Sequence, residues 1–181
     1  MAKGSDFERE ICKQLSLWWT NQERDDVFWR TAGSGARHTV RKKAGKTTAN
    51  QEGDICATDP IGQPLIDILT IELKKGYNSW NLKEILDTEK KNKTIVDFWR
   101  QCIREQEGRN CQGWWLITRQ DRKHKLLFFN DGFYRLYREN NNLPSEYIRV
   151  TWESQYIYCL AFDQFLAETD PASLILNKGE K

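Results

Sequence analysis

The sequence predicts an α/β fold in which helices flank a central mixed β-sheet, and three observations carry that prediction. Apolar residues recur at helical spacing near the start, middle and end of the 181-residue chain. Between them lie short runs rich in Ile, Leu, Val and aromatic residues, as strands require. The two kinds of segment follow in the order helix, strands, helix, strands, helix, the signature of a sandwich built on one sheet. One domain covering residues 1–181, with a sizeable core, is expected at this length.

Each element has its own signal. Ser5-Asp6-Phe7-Glu8 has the capping-box pattern, and Phe7, Ile11, Leu15 and Trp18 then fall on one helical face, which predicts a helix from Asp6 to about Trp19. Val27 to Arg30 reads as a short strand ending in a turn over Thr31 to Gly35. Ala36 to Glu52 has no apolar periodicity and carries Arg37, His38, Arg41, Lys42, Lys43 and Lys46, with no acid before Glu52. It reads as a long, basic, mobile loop.

Gly53 to Ala57 is a short strand, Pro60 to Pro64 has turn chemistry, and Leu65 to Lys74 alternates like a central strand. These two strands are expected to form a hairpin. Trp80 to Leu86 reads as a short helix or a loop. Ile95, Phe98, Trp99, Cys102 and Ile103 mark a helix over Thr94 to Gln106. Strands follow over Gly113–Thr118 and Lys125–Phe129, separated by a charged turn from Arg119 to His124. Phe133 to Tyr137 is a short segment whose type is left open. Tyr147–Thr151 and Tyr156–Cys159 are further strands, and Ala161–Glu168 is a closing helix.

Composition narrows the function classes. With 28 basic and 26 acidic residues the net charge is only +2, so the total does not argue for nucleic acid and the distribution must. Five cysteines without a CxxC pair exclude a zinc knuckle and suit free thiols in a reducing cytoplasm. No apolar run nears the ~18 residues of a membrane span, and the polar opening is followed by no apolar leader segment. Two histidines, His38 and His124, are too few for a histidine metal site or a serine or cysteine triad.

One constellation remains. In a strand, residues two apart share a face, so Glu72 and Lys74 project together while Leu73 points to the opposite core. Asp54, on the preceding strand, is a candidate partner for Glu72 in holding a divalent cation with open positions for water and phosphate. Lys74 would then contact the attacking water or the phosphate, and burial would work to lower its pKa. An E-x-K on a strand also reads as a solvated face with a cross-strand ion pair. Against that, the apolar run Ile66 to Ile71 is an odd approach to two charges, and Asp54 stands where a second ligand is needed.

Taken together, Lys3 to Glu10, Arg30 to Ser34, Gly53 to Ile55 and Ile71 to Lys74 resemble, in the same order, the archaeal-type Holliday junction resolvases. These are a branch of the PD-(D/E)XK nucleases. The resemblance covers residues 1–76. It implies a restriction-endonuclease-like core, Mg²⁺ (or Mn²⁺) as cofactor, DNA as partner, branched or duplex, and a homodimer, because a junction offers two strands to cut symmetrically. Asp54, Glu72 and Lys74 match the core motif; Glu8 matches the helix acid that completes the metal set.

Arg9 and Arg30 match arginines that contact the DNA backbone, and Ser34 matches a small hydroxyl residue near the substrate. Each also has a plainer reading: Glu8 as the capping-box acid, Arg9 and Arg30 as surface charges, Ser34 as turn chemistry. The chain departs from the pattern at Gly53, a permissive residue where the motif carries proline, and in its longer basic loop and aromatic C-terminal third.

In that loop Arg37, Arg41, Lys42 and Lys43 could wrap the duplex backbone or form a solvated insertion. Tyr77 and Trp80 are candidates to stack at a branch point; Trp99, Trp114 and Trp115 read as core. A duplex endonuclease of restriction, repair or homing type, an inactive DNA-binding module and an RNA-directed protein are the competing functions. A phage or mobile-element origin suits all of them.

Overall fold

The computed structural model describes residues 3–31, 53–86 and 94–175. Ser34 and the basic segment with Arg37, Arg41, Lys42 and Lys43 lie outside them. Helix α1 (Lys3–Trp19) leads into β1 (Phe28–Arg30), which pairs antiparallel with β2 (Ile55–Ala57) as a two-stranded sheet. A 3₁₀ turn (Pro60–Gly62) and a short helix α2 (Gln63–Ile68) precede β3 (Leu69–Lys75). Helix α3 (Thr94–Arg109) then crosses over to β4 (Gly113–Arg119). After β4 come β5 (Lys125–Asn130), α4 (Asp131–Arg138), β6 (Ile148–Trp152), β7 (Gln155–Ala161) and α5 (Phe162–Glu168).

The main sheet has the order β3-β4-β5-β7-β6, and only its first pair is parallel. A parallel pair needs a long crossover, and α3 supplies it. The sheet is mixed and carries helices on both faces, which agrees with the restriction-endonuclease-like α/β class.

Strand alternation divides the core in two. Leu69, Ile71 and Leu73 of β3 join Trp115, Ile117, Leu127 and Phe129 against Phe7, Ile11, Leu15 and Trp18 of α1. Trp114, Leu116 and Phe128 face the other way, against Ile95, Phe98, Trp99 and Cys102 of α3. Glu72 and Lys74 therefore look toward α3, and Leu73 toward α1.

The structure departs from the sequence reading at several points. The run Leu65 to Ile68 is helix rather than strand. Pro64 lies in the first turn of α2, where its missing N–H costs nothing, and Leu65, Ile66 and Ile68 bury themselves at helical spacing. Consequently β2 and β3 are not arms of a tight hairpin; β2 takes β1 as its partner. Ser5 does not cap α1, because the helix already includes Lys3. The segment Phe133 to Tyr137 is helical, started by the Asn130 side chain accepting from the Phe133 N–H.

Trp99, Trp114 and Trp115 are all fully buried, and Trp80 joins them in the core instead of reaching outward. Trp115 packs edge-on to Phe133 and Phe165, with ring centroids at 5.1 and 5.2 Å. Its indole N–H has no partner among the described residues. Trp115→Ala should therefore cost about 3–5 kcal/mol in urea denaturation, and Trp115→Phe much less, since no hydrogen bond is lost.

Candidate active site

Among the described residues β3 is the terminal strand of the main sheet, so its outer backbone edge has no strand partner. Asp54, at the entrance to β2, occupies part of that edge. Its backbone N–H donates to Ile71 O at 2.8 Å, and its side-chain Oδ2 accepts from the Leu73 N–H at 2.9 Å. Its carbonyl accepts from the Thr31 N–H at 2.9 Å, which ties it to the end of β1. The carboxylate is thus pinned beside Glu72 by main-chain bonds alone. Main-chain anchors of this kind allow little drift.

Glu72 is 2% exposed, and Lys74 Nζ donates to its Oε2 at 2.9 Å. Gln101 Nε2 on α3 reaches the same oxygen at 2.9 Å and also donates to Glu105 Oε1 at 2.9 Å. The other oxygen of Glu105 accepts from the Gly53 N–H at 3.1 Å. A polar chain therefore runs from β3 through two successive turns of α3 and back to the residue before Asp54.

An open cleft of about 430 Å³ reaches part of this cluster, lined by Glu8, Asp54, Leu73, Lys74, Tyr77 and Gln101 among others, while Glu72 stays buried. Glu8 reaches the cleft from α1 and pairs with Arg30 at 3.7 Å. Arg30 is held on β1 opposite Ile55 of β2, one residue beyond Asp54. Arg9 does not line the cleft; it is exposed on α1 and pairs with Asp6 at 3.7 Å. Adjacent helical residues diverge by about 100°, which separates Arg9 from Glu8.

The electrostatics follow from crowding. Burial pushes the Asp54 carboxyl up to about 6, against the opposing pull of the Leu73 N–H and Lys74. Burial, with Asp54 and Glu105 nearby, raises Glu72 well above the usual carboxylate range. Burial works to lower Lys74, yet Glu72 and Asp54 more than offset it and the ammonium titrates above its ordinary value. The sequence expectation of a depressed lysine is overturned, because the lysine is buried together with its counter-charges.

Asp54 lines the cleft, the buried Glu72 carboxylate adds hard oxygens near it, and Lys74 and Lys75 are cations on the same wall. That donor set fits a divalent cation such as Mg²⁺ or Mn²⁺. Among the described residues no group of three His, Cys, Asp or Glu is placed to hold an ion. Glu8, paired with Arg30, lines the same cleft as Asp54.

Gln101 and Glu105 were missed in the sequence because α3 was read only through its apolar stripe. Their spacing of four on the polar side was the available signal. Gly53 also proves more demanding than permissive: its φ is +83°, and a Cβ there would lie 3.1 Å from Ile71 O and Thr70 Cγ2.

A mixed sheet whose terminal strand carries E-x-K, with an aspartate bonded along that strand's edge, places the protein among the PD-(D/E)XK nucleases. More narrowly, the chain belongs to the family described as "Phage putative PDDEXK endonuclease", which matches residues 1–175. The match runs far beyond residue 76 and takes in the aromatic C-terminal third. No curated protein and no solved structure matches the chain. No helix among the described residues is long and apolar enough to cross a membrane.

Two predictions come from this geometry. Restoring the motif proline with Gly53→Pro should destabilise the protein by at least about 2 kcal/mol and abolish cleavage, since proline can take neither the positive φ nor the bond to Glu105. Thermal melts and a cleavage assay would read both effects. The second concerns pH. A carboxyl whose folded pKa lies above its unfolded value stabilises the fold at low pH, and that stability is lost as pH rises from about 4 to 6. Asp54→Asn should therefore stabilise the protein in chelator at pH 7.5, on the order of 1–3 kcal/mol, with the gain shrinking toward pH 4.

Proposed function

We propose that the chain is a Mg²⁺- or Mn²⁺-dependent endodeoxyribonuclease acting as one domain over residues 1–181. Its favoured substrate is branched DNA, and its working form is a homodimer. The observation that carries the catalytic reading is the pinning of Asp54 along the edge of β3, beside Glu72 and Lys74. Asp54 and Glu72 hold the ion, with Glu8 assisting from the cleft wall. A divalent ion bound there supplies the charge that makes water a nucleophile and neutralises the scissile phosphate.

Lys74, bonded to Glu72, contacts the attacking water or a phosphate oxygen. Gln101 fixes the plane of the Glu72 carboxylate, and Glu105 holds Gln101 and Gly53 in turn. Arg9, Arg30, Arg37, Arg41, Lys42 and Lys43 grip the DNA backbone, and Ser34 lies near it. The preference for branches and the dimer rest on the resolvase-like order of motifs over residues 1–76.

A second reading has an observation of its own. Glu72 already satisfies Lys74 and Gln101, and no three-ligand group is present among the described residues. A DNA-binding module that kept the fold without catalysis would look the same.

Incubation with a four-way junction, plain duplex, single strand and RNA, in Mg²⁺, Mn²⁺ or EDTA, separates these readings. Metal-dependent paired nicks near the branch are expected. Cutting of plain duplex alone would replace branch specificity with a duplex endonuclease, and binding without cutting in any metal would favour the inactive module. Asp54→Ala or Glu72→Ala should abolish cleavage and spare binding, and Gln101→Ala should lower activity about 10- to 100-fold.

A further inference from the structure

Just past the E-x-K strand, the chain holds an aromatic ring at the mouth of the cleft. Tyr77 is 49% exposed, lines the same cleft as Asp54 and Lys74, and meets the Phe98 ring edge-on at 4.9 Å. Lys74 Nζ lies 5.7 Å from the centre of that same Phe98 ring. One buried phenylalanine is thus the common neighbour of the ammonium and of the exposed ring.

The segment bearing Tyr77 is bolted down on both sides. The Gly76 N–H donates to Arg119 O at 3.1 Å, and Asn78 exchanges two bonds with Asp121, at 2.9 and 2.8 Å. Gln120 Nε2 donates to Trp80 O at 2.6 Å, and Trp80 is anchored in the core against Phe128. Gly76 has a φ of +82°, which turns the chain sharply as it leaves β3. The ring is therefore exposed on a fixed support.

A rigid, half-exposed aromatic ring beside a phosphate-binding ammonium suits a nucleobase. Inside an undistorted duplex both faces of every base are already covered by stacking, so such a ring stacks most readily on a base that has left the helix. We infer that Tyr77 is a stacking platform for an unpaired nucleobase next to the scissile phosphate, and that it sets a preference for DNA with locally unpaired nucleotides. This rests on the nuclease reading for the identity of the site. It deepens that reading by assigning the branch preference to a residue.

The ring and not the hydroxyl carries the effect, so Tyr77→Phe and Tyr77→Ala should behave differently. Binding is measured by fluorescence anisotropy in EDTA, with two oligonucleotides identical except for one unpaired thymine. The wild type should bind the unpaired form about tenfold more tightly, Tyr77→Phe should keep that ratio, and Tyr77→Ala should bring it close to one. With 5-iodouracil as the unpaired base, irradiation should cross-link it to Tyr77. Tyr77→Leu keeps an apolar cover over Phe98 without a π-face and should match Tyr77→Ala; melting curves confirm that each variant is folded.

A wild type without preference, a Tyr77→Ala or Tyr77→Leu variant that keeps the wild-type ratio, or a Tyr77→Phe variant that loses it overturns the inference. Because these readouts need no cleavage, they stand apart from the nuclease reading, which fails if the wild type cuts no nucleic acid in Mg²⁺ or Mn²⁺.

Discussion

Two hydrogen bonds from Asp54 to the edge of β3 organise the functional half of this molecule. They close a strand edge that would otherwise expose unpaired backbone groups, and they place a carboxylate beside Glu72 without using any side chain as a spacer. The rest of the site is arranged around this bond pair. Gly53 must adopt a left-handed turn to deliver Asp54, and Glu105 must reach across from α3 to satisfy the Gly53 N–H. Backbone geometry, side-chain bonding and helix placement all express one constraint.

The charge balance of the cluster follows from the same crowding. Asp54 and Glu72 are buried near one another and near Glu105, with Lys74 as the cation bonded to Glu72. Such an arrangement is costly in the absence of a bound cation. The cost and the affinity for a hard divalent ion have a common origin.

Much of this was legible in the amino-acid order. Helices α1, α3 and α5 announced themselves through apolar periodicity, and β4, β5 and β7 through continuous apolar runs. The short helix α2 was not legible, because Leu65, Ile66 and Ile68 satisfy strand and helix patterns equally well over so few residues. At the site, the pairing of Glu72 with Lys74 was visible because strand periodicity is strict. The route by which Asp54 arrives beside them was not, since it depends on a sheet edge left open by long-range topology. Gln101 and Glu105 were hidden for a related reason: a helix read for its core face says little about what its polar face will meet.

The parallel pairing of β3 with β4 has a consequence for how the protein comes into being. A parallel neighbour can join only after the intervening helix has been made, and the polar chain through Gln101 and Glu105 cannot close around Glu72 until that same helix, α3, exists. A ribosome-bound or prematurely terminated product that stops before α3 carries both carboxylates and the lysine without the Gln101 and Glu105 bonds that complete the cluster.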